Sequence, residues 1–492
     1  MRICRTCPAL GGLFVTLFFV ATAHANWPAE ATSDGAPICT ASGTQARLRP
    51  AVSDGYGGVL VAWEDWRSLS TTGPHPYVQR LNQNGDAVWT ADGVALSAVS
   101  GRQQHVSCIA DGIGGAFVAW ADSVLGTACV QHLNAVGVPQ WSPNGMLVTT
   151  DVSSSLLLPT LMLDGAGGVF VVWGGRPSGV RTLRMQRLNA NGVRLWGPLG
   201  LQLATVFAWA YDGFSPVFQL LPDNTGGCIA LWGSFDPALQ LHAFAQRVTS
   251  SGSPQWPAGG VPLSTTHQPG LPSGIPDGAG GVIVSYWDAD ISTVPTTYSI
   301  RAQRLSSLGA LLWGPDGVAI STLTSLNLDP APIIAAPGGA YVGWEDQSSG
   351  TAYVQRVSSA GVPAWPAGGV QIASGGSLLL NSTDDGHGGI VACWQGAAGE
   401  VRTQRLDASG AALWTAGGVP VFTAPGTHIG MIVRSLDMGF VYIACSSLWF
   451  GTSFDNGSIF AKFVMPSGSI GPSMPVIAYV RDVPGDQGGK ML

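Results

Sequence analysis

A small set of acids falls directly after short apolar runs: Glu64 and Asp65, with Trp66 and Arg67 beside them; Asp122; Asp288 and Asp290; Glu345 and Asp346. Carboxylates next to an indole suit a sugar or a cation, the ring by stacking and the acids by hydrogen bonding or charge. The plainer alternative is solvated loop acids, some of them paired with nearby arginines. Glycoside hydrolysis needs two carboxylates at a defined separation, and spacing along the chain does not place such a pair. The eight histidines are scattered; His24 lies near the N-terminus, while His75, His105 and His132 suit loop or core positions. No Gly-x-Ser-x-Gly nucleophile turn occurs. Neither a Cys-x-x-Cys pair nor a zinc-spaced Cys/His cluster is present. The glycine-rich stretches precede strands rather than helices, which rules out nucleotide loops. Glu64, Asp65, Trp66, Asp122, Asp288, Asp290, Glu345 and Asp346 are therefore candidate binding residues, and no catalytic residue, metal ligand or cofactor is assigned.

The elements that position these acids repeat. A glycine opening an apolar run recurs at Gly58, Gly115, Gly168, Gly227, Gly281, Gly339, Gly389 and Gly439, a period of about 54 residues. In the second copy, residues 104–110 form a first strand, A, ending at Asp111-Gly112. Residues 116–120 form strand B. Asp-Gly between two such runs is a strong hairpin signal, because both turn residues tolerate positive φ. Residues 128–133 form strand C, Asn134-Ala135-Val136-Gly137 turns the chain, and strand D lies near Met146. Nothing in the repeat has helical periodicity. Four short antiparallel strands in series describe a propeller blade.

The recurring residues have structural explanations. Strand B ends in Trp63, Trp120, Trp173, Trp232, Trp287, Trp344 and Trp394, and strand D carries Trp89, Trp141, Trp196, Trp256, Trp313, Trp365 and Trp414. A buried indole removes roughly 150–250 Å² from water, at most about 4–6 kcal/mol each, so these rings read as core. A Gln-Arg pair on strand C recurs with Arg80, Arg187, Arg247, Arg304, Arg356 and Arg405; His132 and Lys462 take the slot elsewhere. Each guanidinium is expected to bond carbonyls or stack on a blade tryptophan. The single aspartate of each Asp-Gly turn lacks the alternating oxygen ligands of a calcium loop.

The stretch from Val78-Gln79-Arg80-Leu81 through Gly85 to Trp89 resembles the strand–turn–strand of bacterial SBBP-type propeller repeats. Its Gly-x-x-x-Trp spacing, kept in seven copies, is similar to the docking motif of PQQ-like quinoprotein propellers. The resemblance implies the fold. It implies no quinone site, since the Asp and Thr that precede the motif glycine there are mostly absent here. The eighth copy has Ala444 in place of tryptophan and no Gly-x-x-x-Trp after strand C, while Asn26-Trp27-Pro28 and the run to Cys39 resemble a spare strand D. The expectation is an all-β, eight-bladed propeller of four-stranded antiparallel blades over residues 26–470, closed by an N-terminal strand.

Residues 1–25 read as a secretion signal: Arg2 and Arg5, an apolar stretch over 10–20, and Ala23-His24-Ala25 as the cleavage site. No later apolar run is long enough to span a membrane. The expected address is secreted: extracellular, cell-surface or periplasmic. Residues 471–492 resemble the entry to a fibronectin-type-III-like module and read as a linker or a truncated start of one. The six cysteines beyond the signal read as small buried thiols; export permits disulfides, and Cys108 and Cys129 are the foremost pair for one. A net charge of −7, with lysine only at Lys462 and Lys490, excludes a nucleic-acid surface. In a four-stranded meander the short A–B and C–D turns share one face, and the variable B–C and D–A loops share the other. A ligand site belongs on variable loops held by a rigid scaffold. The composite expectation is an exported, monomeric, non-catalytic propeller for binding, adhesion or surface structure, with a protein or glycan ligand. The alternative is a secreted polysaccharide hydrolase or lyase with its site at the channel mouth.

Overall fold

The computed structural model describes residues 36–470 apart from 40, 42–44, 47–51, 69–71, 83, 157–158, 210–217, 294–295, 322–327, 331–332, 375–377, 397, 424–427, 437–438 and 447–457. The expected signal segment, Trp27 and the C-terminal stub lie outside the described residues. Every described element is a strand. In blade 2 the strands are Gln103–Ala110, Ala116–Asp122, Thr127–Leu133 and Met146–Leu147, paired in the order A-B-C-D and antiparallel throughout. Blades 1 and 3–7 are built around the B strands Val59–Asp65, Val169–Pro177, Cys228–Phe235, Val282–Asp290, Gly339–Asp346 and Ile390–Gln395. Strand A of each blade packs against strand A of the next, so the A strands line the centre and the D strands lie outermost.

The structure corrects the expectation of an eight-bladed ring: seven blades are complete. Each is wound from one continuous stretch, and each carries its own Gly-x-x-x-Trp. The remaining sheet is a composite of His428–Leu436, Gly439–Ser446 and Ser458–Val464, edged by the two-residue strand Ala36–Pro37, which pairs with Phe460 and Ala461. Its inner strand packs on strand A of blades 7 and 1 and so closes the ring. Strand A is also less regular than expected. It is split in two in blades 1, 3, 4 and 6. In blades 2 and 5 it bulges instead, at His105 (φ 58°) and Leu271 (φ 52°). A bulge adds a residue and bends the strand, so the chain turns at the same level in both variants.

One device joins neighbouring blades. The tryptophan expected on strand D lies in the connection before it, and its indole N–H donates to a carbonyl in the C–D turn of the next blade: Trp256 to Ser307 at 3.1 Å, Trp313 to Ser359 at 3.3 Å, Trp365 to Ala408 at 3.1 Å. The strand C arginine reaches the same carbonyl, as Arg247 does to Ser307 at 3.2 Å and Arg304 to Ser359 at 3.0 Å. The turn's glycine lies flat on that indole; a Cβ on Gly361 would stand 2.9 Å from Trp313 Cγ, and its φ is 80°. Glycine is required there on both counts.

The strand C pair divides its labour because successive residues face opposite sides of a strand. Buried Gln246 donates to Pro257 O at 2.8 Å and accepts from Trp256 N at 2.9 Å, fixing strand D. Arg247 turns the other way and donates through Nε to Asp223 of the A–B turn at 3.0 Å. Asp223 in turn accepts from the N–H of Thr225 and Gly227, both at 2.8 Å. The same acid–arginine pair joins Arg80 to Asp54, Arg187 to Asp164, Arg304 to Asp277 and Arg405 to Asp385, and in blade 2 His132 Nε2 lies 3.0 Å from Asp111. Blade 6 has Pro337-Gly338 at its A–B turn, and Arg356 bonds the Pro337 carbonyl.

One further reading is corrected. Trp287 is one residue out of register: Tyr286 fills the strand B core position, fully buried, with its hydroxyl on Asp316 O at 2.9 Å. Trp287 faces the opposite side and stacks on Tyr298 at 5.4 Å. Cys108 and Cys129 are buried on strands A and C with strand B between them and are not bonded to each other.

Candidate functional site

The acids that follow strand B end up inside the B–C/D–A face rather than in solvent. Asp65 is 1% exposed and accepts from Trp63 Nε1 at 2.9 Å and from Arg67 N and Nε at 3.0 and 2.7 Å. The Arg67 guanidinium lies over Tyr77, 4.4 Å from the ring centre. Glu64 is buried and accepts from His105 N of blade 2 at 2.8 Å. Trp66, 7% exposed, is covered by Arg102. Asp122 accepts from the N–H of Val124 and Leu125 and from Gln103 Nε2, at 2.9, 2.9 and 3.0 Å. Asp346 bonds Ser348 N at 3.1 Å, Ser349 Oγ at 2.8 Å and the Ser348 hydroxyl. Glu345 is buried at the matching place in blade 6. Asp65, Asp122 and Asp346 thus share one job: an aspartate oxygen caps the N–H two residues on, the Asx-turn geometry.

Only Asp288 and Asp290 come together. His267 Nδ1 lies 2.7 Å from Asp288 and its Nε2 lies 3.5 Å from Asp290, with Arg301 Nε 3.7 Å from Asp288. Burial pushes the Asp288 carboxyl up, against the pull of His267 and Arg301. Its second oxygen has no hydrogen-bond partner among the described residues. Asp290 is held below the usual carboxylate range, chiefly by the Ser292 hydroxyl. The remaining candidates are spread over blades 1, 2 and 6. Among the described residues no three His, Cys, Asp or Glu side chains are arranged to hold a metal ion.

Two features of this face are not apparent from residue spacing. The first is a chain of contacts at the seam of blades 1 and 2. Thr72 Oγ1 lies 2.7 Å from His75 Nε2, and His75 Nδ1 lies 3.2 Å from Gln103 Oε1. Gln103 Nε2 donates to Ser97 Oγ at 2.8 Å and to Asp122 at 3.0 Å. The link from His75 to Gln103 crosses 28 positions and has no local signature. The second is an arc of exposed apolar side chains on the B–C and D–A loops of blades 2–5: Val124, Val152, Val180, Phe207, Leu239 and Ile291. Val152 and Leu239 are each 68% exposed and Phe207 49%. Neighbouring loops are laced together, Arg181 Nη1 donating to Phe207 O at 2.7 Å. No helix among the described residues is long and apolar enough to cross a membrane.

No protein-family model matches the chain. No curated protein matches it. Solved structures similar to it include the polysaccharide lyase Uly1, 9% identical over 87% of this chain and 90% of that one, with a TM-score of 0.44. An α-L-arabinofuranosidase from Fusarium graminearum is 11% identical over 64% and 94%, with a TM-score of 0.33. BBS1N, solved in complex with ARL6DN, is 10% identical over 91% and 99%, with a TM-score of 0.38. These likenesses concern the course of the backbone, and the activities of those proteins are not carried over.

Proposed function

We propose that this is an exported recognition propeller that holds a protein partner against the B–C/D–A face of blades 2–5. The observation that carries the reading is the run of exposed apolar side chains on the described B–C and D–A loops of blades 2–5, from Val124 to Ile291. Contiguous apolar surface on a soluble domain marks an interaction site. The arc is aliphatic but for the lone ring of Phe207, and Trp66 is buried, which favours a protein over a glycan, since sugar sites rely on a broader aromatic platform. The test compares the wild type with Phe207→Asp/Leu239→Asp. One partner captured by the wild type, with at least a tenfold loss in the variant and no signal on a glycan array, supports the reading; glycan binding that survives the double substitution overturns it. The second reading, a polysaccharide hydrolase or lyase, has the Asp288–His267–Asp290 corner in its favour. Turnover of an acidic polysaccharide, abolished by His267→Gln, would favour it.

A further inference from the structure

The hydrogen-bond chain at the blade 1–2 seam has a polarity that can be worked out atom by atom. Asp122 is an acceptor, and it meets Gln103 Nε2 at 3.0 Å. Val99 O, also an acceptor, meets the same nitrogen at 3.2 Å. The amide therefore points its NH₂ group at Ser97, Val99 and Asp122, and its oxygen at His75. An amide oxygen only accepts, so the proton of neutral His75 sits on Nδ1. That leaves a lone pair on Nε2, 2.7 Å from the Thr72 hydroxyl. The hydroxyl must donate. His75 is 7% exposed and Gln103 fully buried, so the imidazole is held rigidly, while Thr72 is only partly buried on the loop face.

A hydroxyl donating to an imidazole whose other nitrogen is fixed by an acceptor is the nucleophile–base–orienter arrangement of acyl-transfer sites. We propose that Thr72 is an activated hydroxyl that takes an acyl group from ester substrates, with His75 as its base and Gln103 as a positioning residue. Thr72 Oγ bonds to the ester carbonyl carbon while its proton passes to His75 Nε2. The bond from that carbon to the leaving oxygen breaks, and the proton on Nε2 goes to that oxygen. Water then attacks the threonyl ester, giving its proton to Nε2; the acid is released and the proton returns to Thr72. The D–A loop stays close because Gly101 N donates to Thr72 O at 2.6 Å, and the next residue, Arg102, brings an exposed cation. The inference stands apart from the recognition reading, since Phe207 and Leu239 lie in other blades.

The experiment treats the full chain with p-nitrophenyl acetate and, separately, with a fluorophosphonate, and maps adducts by peptide mass. The expected result is a single adduct on Thr72, kept in Thr72→Ser and absent in Thr72→Val. Labelling falls at least a hundredfold in His75→Gln, within the usual reach of a general base. It falls in Gln103→Leu and is regained in the double variant Gln103→Glu/Asp122→Asn, which restores an acceptor for the Nδ1 proton and gives the new carboxylate an amide donor where Asp122 stood; a merely structural role would not give that pattern. Circular dichroism selects the variants that fold. No adduct on Thr72 of the folded wild type, or labelling that is indifferent to His75, overturns the proposal.

Discussion

Replacing Asp223 with alanine should destabilise the wheel by roughly 3–4 kcal/mol, the range for breaking a buried ion pair. The carboxylate is inaccessible and accepts four hydrogen bonds: from Thr225 N, Gly227 N, Thr225 Oγ1 at 2.7 Å and Arg247 Nε at 3.0 Å. Alanine orphans two backbone donors of the A–B turn, each worth about 1–3 kcal/mol when buried. It also leaves Arg247 with only its bonds to Ser307 O and Thr225 Oγ1. The guanidinium side chain is 16% exposed, so water recovers part of the loss and sets the figure near the low end. Asparagine keeps the oxygen that serves the two N–H groups and should cost about half as much. Urea denaturation followed by tryptophan fluorescence measures both, and a cycle with Arg247→Met isolates the pair. A loss under about 1 kcal/mol for Asp223→Ala, or a coupling indistinguishable from zero, would refute the claim that this pair fixes the turn.

Other outcomes follow from the same geometry. Gly361→Ala should cost roughly 2–4 kcal/mol, from positive φ and collision with Trp313; Gly314→Ala, at a similar φ with nothing nearby, should cost only about 1 kcal/mol, and paired thermal melts compare them. Acid should unfold the protein: burial opposes ionisation of Asp223 and Asp385, yet their hydrogen bonds and the facing Arg247 and Arg405 hold both below the usual carboxylate range. With the folded value below the unfolded one, their stabilisation is complete above about pH 4 and disappears as pH falls through the folded value. Asp288 has the opposite sign: its folded value lies above the unfolded one, so the ionised carboxylate costs stability at neutral pH, and Asp288→Asn should lower the neutral-pH melting temperature less than Asp223→Asn does. The buried thiols, with Cys39, Cys129 and Cys228 pushed up by burial, should resist Ellman's reagent until the protein is unfolded.

Repetition made the architecture legible, because glycine, tryptophan and Asp-Gly recur where turns and plates must recur. Blade number was harder. An eighth glycine is present, but Ala444 and the missing final Gly-x-x-x-Trp leave the last copy as a composite sheet. Trp287 was misplaced because Tyr286 beside it fills the same core slot, and one residue along a strand reverses the face. The candidate acids were legible as a row, since strand B ends at one level in each blade. Their roles were not. Burial and the N–H group two residues ahead decide that Asp65, Asp122 and Asp346 cap turns, and neither shows in residue type. The partners of the strand C arginines lie about 20–27 positions upstream in the A–B turn, so only the hairpin register reveals them.

The strand Ala36–Pro37 and the hairpin it edges occupy one sector of the wheel, between blades 7 and 1. Blades 3 and 4, the middle of the apolar arc, sit across the hub from that sector. A tether attached through either flank of the ring would therefore hold those loops on the far side of the hub from its anchor, and a tag fused at either flank would leave them uncovered. The closure that secures the wheel also sets how far the arc lies from any such attachment.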